Sequence, residues 1–164
     1  MTEAPFPRLA PGEYGDVTDG VSAADLLSRP VRARGITLAE PVDLVLDLER
    51  MRAIGLEVAC GDESRRFLPL AVATLSDDEI DVPSALLLLD ERDLAFYRRR
   101  ATTLAAVRGR PVERGRALLG LLADVVLDRD GLVLELVLET DRGTQRIAPA
   151  DDLRILAGTR PTAA

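Results

Sequence analysis

Arg29-Pro30-Val31 recurs as Arg110-Pro111-Val112, 81 positions later, and at the same offset Asp43-Leu44-Val45-Leu46-Asp47 recurs as Asp124-Val125-Val126-Leu127-Asp128. Two short motifs sharing one register mark a folding unit built twice. The match extends with small gaps. Leu56-Glu57-Val58 aligns with Leu134-Glu135-Leu136 at offset 78, which implies a turn three residues longer in the first copy, and Arg66-Phe67-Leu68-Pro69 aligns with Arg146-Ile147-Ala148-Pro149 at offset 80. Length changes confined to turns are expected where strands carry the core.

Within each copy the apolar residues alternate, the period of a half-buried strand. Across residues 42–48, Leu44 and Leu46 share one face and Asp43 and Asp47 the other. Residues 54–60 alternate likewise, so a turn over 49–53 predicts a hairpin, and a third short strand over 65–70 ends near Pro69. In the second copy Val125 and Leu127 face inward. Asp130-Gly131 is a strong hairpin signal, and Leu132, Leu134, Leu136 and Leu138 form the expected inward row. Val45, Val126, Val133 and Val137 then fall at outward parity. Thr144 to Pro149 and Leu153 to Ile155 supply the last strands.

Between the copies, Leu86-Leu87-Leu88-Leu89 reads as a strand buried on both sides. Asp90 is placed to cap a helix over Glu91 to about Ala101, with acids early and Arg98, Arg99 and Arg100 late, as the helix dipole favours.

A strand opening near Arg-Pro-Val, an Asp-Val-Val-Leu-Asp strand, a glycine turn, an alternating strand and a strand ending in proline together resemble the PRC-barrel. That is the small β-barrel of the photosynthetic reaction-centre H subunit and of the C-terminal domain of the 16S rRNA processing protein RimM. Residues 104–156 match best, and residues 24–75 follow through the repeat. The resemblance implies about six strands per barrel, non-enzymatic roles and binding to other proteins. The expected fold is mainly β: two tandem PRC-like barrels, at 23–82 and 104–158, joined by a strand and one α-helix over 83–103. A flexible arm is expected over 1–22 and a tail over 159–164.

Composition narrows the chemistry. Apolar residues make up 47% of the 164, but aromatics only 3%, so aliphatic side chains must build the core. No apolar run is long enough to span a bilayer and the N-terminus does not read as a signal peptide, so a cytoplasmic protein is expected. All 21 basic residues are arginine, which fits a GC-rich bacterial genome. Without lysine there is no Schiff base, and without histidine no imidazole base or His-based triad. The net charge of −7 argues against nucleic acid as a partner. Cys60, the single cysteine, has the parity of Leu56 and Val58 and reads as a small buried hydrophobe.

No catalytic, cofactor-binding or metal-binding residue is expected. Asp77-Asp78-Glu79 with Asp81 matches no EF-hand spacing and reads as a solvated loop. The pairs Asp43/Asp47 and Asp124/Asp128 read as wet outer faces, roughly 13 Å apart along a strand and too far for paired-carboxylate hydrolysis. Phe96 to Arg116 holds seven arginines against Glu113 alone. Arg98, Arg99, Arg100, Arg108, Arg114 and Arg116 are the candidate partner-binding residues. Arg110 stands apart, because its counterpart Arg29 implies a structural job. The expected function is a protein-interaction or scaffold module, with an accessory role in RNA processing or ribosome maturation as the alternative. The expected partner is an unidentified protein, a second copy of the chain being one candidate.

Overall fold

The computed structural model describes residues 20–156. Residues 1–19 of the expected arm and the whole expected tail lie outside them. The chain is mainly β and forms two sheets. The first contains β2 (Val31–Ala33), β3 (Ile36–Asp47), β4 (Arg52–Cys60), β5 (Arg65–Pro69), β6 (Thr74–Leu75) and β7 (Ile80–Asp81), in the order β5-β4-β3-β2-β7-β6. The second contains β9 (Pro111–Arg114), β10 (Ala117–Leu127), β11 (Val133–Thr140), β12 (Gly143–Ile147) and β13 (Leu153–Ile155), in the order β12-β11-β10-β9-β13. Both orders are open paths: among the described residues, no strand pairing closes either sheet into a barrel.

The repeat is present, and its register is carried by hydrogen bonds. Leu44 pairs with Leu56 as Val125 pairs with Leu136. The second hairpin strand is therefore offset by 80, not 78, and the first turn is longer by one residue. A two-residue slip leaves every side chain on the same face, so alternation alone cannot detect it. Leu56 pairs with Leu68 as Leu136 pairs with Ile147, an offset of 79. Phe67 thus corresponds to Arg146 rather than to Ile147.

Two β-bulges recur in both copies, and they explain where alternation fails. Val42 and Ala123 are the extra residues on β3 and β10, and Ile54 and Leu134 those on β4 and β11. Past Leu134 the facing reverses: Val133 is buried and Leu132 is 43% exposed, contrary to the expected inward row. Val45 and Val126, expected outside, are buried as well. Cys60 sits half-buried at the end of β4, against the edge of the core.

Each copy begins with a two-residue strand and a one-turn helix, and these are exchanged. β1 (Val21–Ser22) precedes α1 (Ala23–Leu26) and pairs with β10 of the second copy, Ser22 facing Val126. β8 (Thr102–Thr103) precedes α3 (Leu104–Val107) and pairs with β3 of the first copy, Thr103 facing Val45. The capping follows the same symmetry. Ser22 accepts from the Asp25 amide and Thr103 from the Ala106 amide. The Asp43 carboxylate accepts from its neighbour Leu44 N–H and from Ala105 N–H at 3.1 Å, and Asp124 accepts from Val125 N–H and from Ala24 N–H at 3.2 Å. These aspartates are not wet outer faces; each ties the exchanged helix to its host sheet. Asp47 and Asp128 serve the turns, accepting from the amides of Glu49 and Arg50 and of Asp130 and Leu132.

The two turns also join the copies. Ala53 N–H donates to Gly131 O at 2.7 Å and Val133 N–H to Met51 O at 2.9 Å. One large aliphatic core results, running from Ala23 to Leu153 through both sheets.

The connecting segment departs from expectation. Ser84 caps a 3-10 turn over Ala85–Leu87, with its side chain accepting from Leu86 N–H. Leu86 is 89% exposed, Leu88 is buried, and Leu89 exchanges two backbone hydrogen bonds with Phe67 at the β5 edge. The four leucines are therefore not a strand covered on both sides, because the turn after Pro83 points Leu86 outward. The helix follows as expected: α2 (Glu91–Arg100), with the Asp90 carboxylate accepting from the amides of Arg92 and Asp93.

Candidate functional site: an arginine-bearing helix on the first sheet

Helix α2 lies on the outer face of the first sheet, and the residues beneath it explain why. Gly55 lacks a Cβ where the Phe67 ring passes; an added Cβ would lie 2.3 Å from that ring. Phe67 stacks on Tyr97 of the helix, with centroids 4.2 Å apart and planes 23° from parallel. Val45, Phe67 and Leu94 form a second small core, flanked by Ile54, Leu89, Tyr97 and Ala101. Glu57 is buried under the helix and ion-paired with Arg98.

In the second copy, Glu135 and Arg146 replace Gly55 and Phe67, and they pair with each other at 3.7 Å. Charged side chains that can stay in water need no cover. At these two positions the sequence makes one outer face apolar and the other charged.

The outward side of α2 carries Arg92, Ala95, Phe96 and Arg99, all exposed, at the i, i+3, i+4 and i+7 spacing of one helical face. Phe96 is 44% exposed, and the Arg100 guanidinium lies 4.4 Å above its ring. Beside the helix runs a hollow of about 440 Å³ lined by Arg65, Glu91, Leu94, Ala95, Arg98 and Arg99. The Asp90 carboxyl is held below its ordinary pKa by the Asp93 and Arg92 amides that it caps. The Asp62 carboxyl in the turn before β5 is likewise lowered, by its hydrogen bonds from Ser64.

The six candidate arginines do not form one patch. Arg98, Arg99 and Arg100 share α2, but Arg98 serves Glu57, Arg99 donates to the Ala95 carbonyl at 3.3 Å and Arg100 covers Phe96. Arg108 lies 3.9 Å from Asp124, at the junction of the copies. Arg114 pairs with Asp152 at 3.4 Å, and Arg116 is exposed in the β9–β10 turn, both on the second sheet. Arg29 and Arg110 each make a contact within their own copy. Arg29 reaches back to Asp25 at 2.6 Å, and Arg110 to the Ala106 carbonyl at 2.7 Å. Arg92, Arg65 and Phe96 were missed as site residues. For Arg92 and Phe96 the signal was available in their helical spacing. Arg65 reaches the hollow only through the tertiary fold.

In the acidic loop, Glu79 faces Arg32 at 3.4 Å and its carbonyl accepts from Ser76 N–H. No helix among the described residues is long and apolar enough to cross a membrane. No family model matches the chain, and no curated protein is significantly similar to it.

Proposed function

We propose that this chain is a non-catalytic protein-interaction module on a tandem PRC-like scaffold, with α2 as its recognition element. The observation that carries the reading is Phe96, an aromatic ring left 44% exposed on a helix whose other side is firmly anchored. Aromatic and arginine side chains supply most of the energy at protein interfaces, and both are presented together here. The anchoring favours binding, because a surface ordered beforehand loses little entropy on association.

Affinity capture with the full chain, with and without nuclease, tests this. A specific protein should be retained after nuclease treatment and lost with Phe96→Ala. Retention of ribosomal particles alone, released by nuclease, would favour the RNA-processing alternative. Equal capture by the Phe96→Ala variant would remove α2 as the recognition element.

A further inference from the structure

We infer that α2 and the adjoining hollow form a docking surface for an acidic, leucine-containing segment of a partner protein; this rests on the interaction-module reading above. The hollow is lined by Arg65, Arg98 and Arg99, with Leu94 and Ala95 as its apolar floor and Glu91 as the one carboxylate; Arg98 is committed to Glu57, which leaves Arg65 and Arg99 for a ligand. Arginine presents donors in a planar fork that matches a carboxylate. The apolar floor and the Phe96 ring offer contact to aliphatic side chains, which a polynucleotide does not carry.

Charge complementarity selects the same partner. The chain bears 28 acidic residues against 21 basic ones, so an acidic segment is repelled by the molecule as a whole. Arg92 stands between the exposed acids Glu91 and Asp93, so the sign is reversed locally in the last turn of α2, where Arg99 and Arg100 are exposed with no acid beside them on the helix. Arg100, held over Phe96, adds a cation whose position is already set.

The test uses the full chain and two fluorescent probes of equal charge: a 14-residue peptide of glutamate, aspartate and leucine, and a single-stranded oligonucleotide. Peptide binding should weaken about tenfold or more in Arg65→Glu/Arg99→Glu, the scale on which loss of interface arginines is felt. It should also weaken in Phe96→Ala and as salt rises. Arg116→Glu, on the other sheet, should bind as the unmodified chain does. Arg98 is left intact in every variant because of its role beneath the helix, and unchanged melting temperatures verify the fold. Peptide binding that is absent at low salt, unaltered in the double variant, or weaker than oligonucleotide binding overturns the inference. A captured partner that the double variant retains would overturn this surface while leaving the interaction-module reading in place. Failure to capture any protein would instead count against that reading.

Discussion

Glu57 on β4 is buried beneath helix α2 and ion-paired to Arg98 of that helix. Arg98 therefore does a different job from its neighbours Arg99 and Arg100. Arg98→Ala should destabilise the protein by about 1–3 kcal/mol, less than for a fully enclosed pair because the arginine is half in water. Replacing Glu57 by Gln in the Arg98→Ala background should recover part of the loss, since no buried charge is then left alone. Urea denaturation of the two variants checks both, and a wild-type midpoint for Arg98→Ala would remove the pair from the account of stability.

Asp43 and Asp124 cap helices that come from the opposite copy. Asp43→Ala and Asp124→Ala should each cost about 1–2 kcal/mol, the range for losing a helix cap. Their effects should be similar, since the bonds they make are equivalent. A strongly unequal pair of unfolding free energies would show that the symmetry is only geometric.

Gly55 leaves room for the Phe67 ring. Gly55→Ala should cost about 1–3 kcal/mol through overpacking and loosen α2 with it. Gly61→Ala, where nothing lies within 4 Å of the added carbon, is the control. Thermal melts of both variants decide the matter; equal melting temperatures would mean that the ring can move aside.

Leu86 and Leu88 are neighbours in one apolar run with opposite environments. Leu88→Ala should cost about 2–5 kcal/mol, whereas Leu86→Ala should stay within about 0.5 kcal/mol. A double-digit fall in melting temperature for Leu86→Ala would contradict its exposure.

The Asp90 cap titrates. Its folded pKa lies below the ordinary carboxylate value, so the ionised form stabilises the helix. That contribution is complete above the unfolded pKa, about 3.9, and is lost as pH falls through the lower folded value. Amide resonances of Arg92 and Asp93 followed by NMR should shift together below about pH 4. Asp90→Ala should abolish this titration, and its persistence in that variant would assign it to another group.

Much of the architecture was legible from residues alone. The repeat, most of the longer strands and the cap at Asp90 all follow from local patterns: alternation, turn residues and an acid before a helical run. The bulges at Ile54 and Leu134 were not legible, because an inserted residue looks like ordinary alternation until the partner strand is known. The exchange of β1 and β8 was hidden for the same reason, since two-residue strands carry too little pattern to reveal their partner. The opening between Arg34 and Gly35, where both residues adopt positive φ, is a hairpin turn whose Arg-Gly signal was present but unused. At the candidate site, the cluster of arginines was visible in one dimension. Its division between structural and exposed groups depends on Glu57, and nothing in the linear order places that residue beneath Arg98.

The exchanged strands also set a schedule for synthesis. Val21 pairs with Leu127, so β1 leaves the ribosome 106 residues before its partner does. At about 5–20 residues per second it waits roughly 5–20 s. The first sheet waits 58 residues for its own guest strand, from Val45 to Thr103; until then it lacks β8 and α3, and until α2 is made its face with Phe67 and Val45 is open to water. The nascent first half is thus an incomplete body, and the molecule gains its closing contacts only when the second half is present to return them.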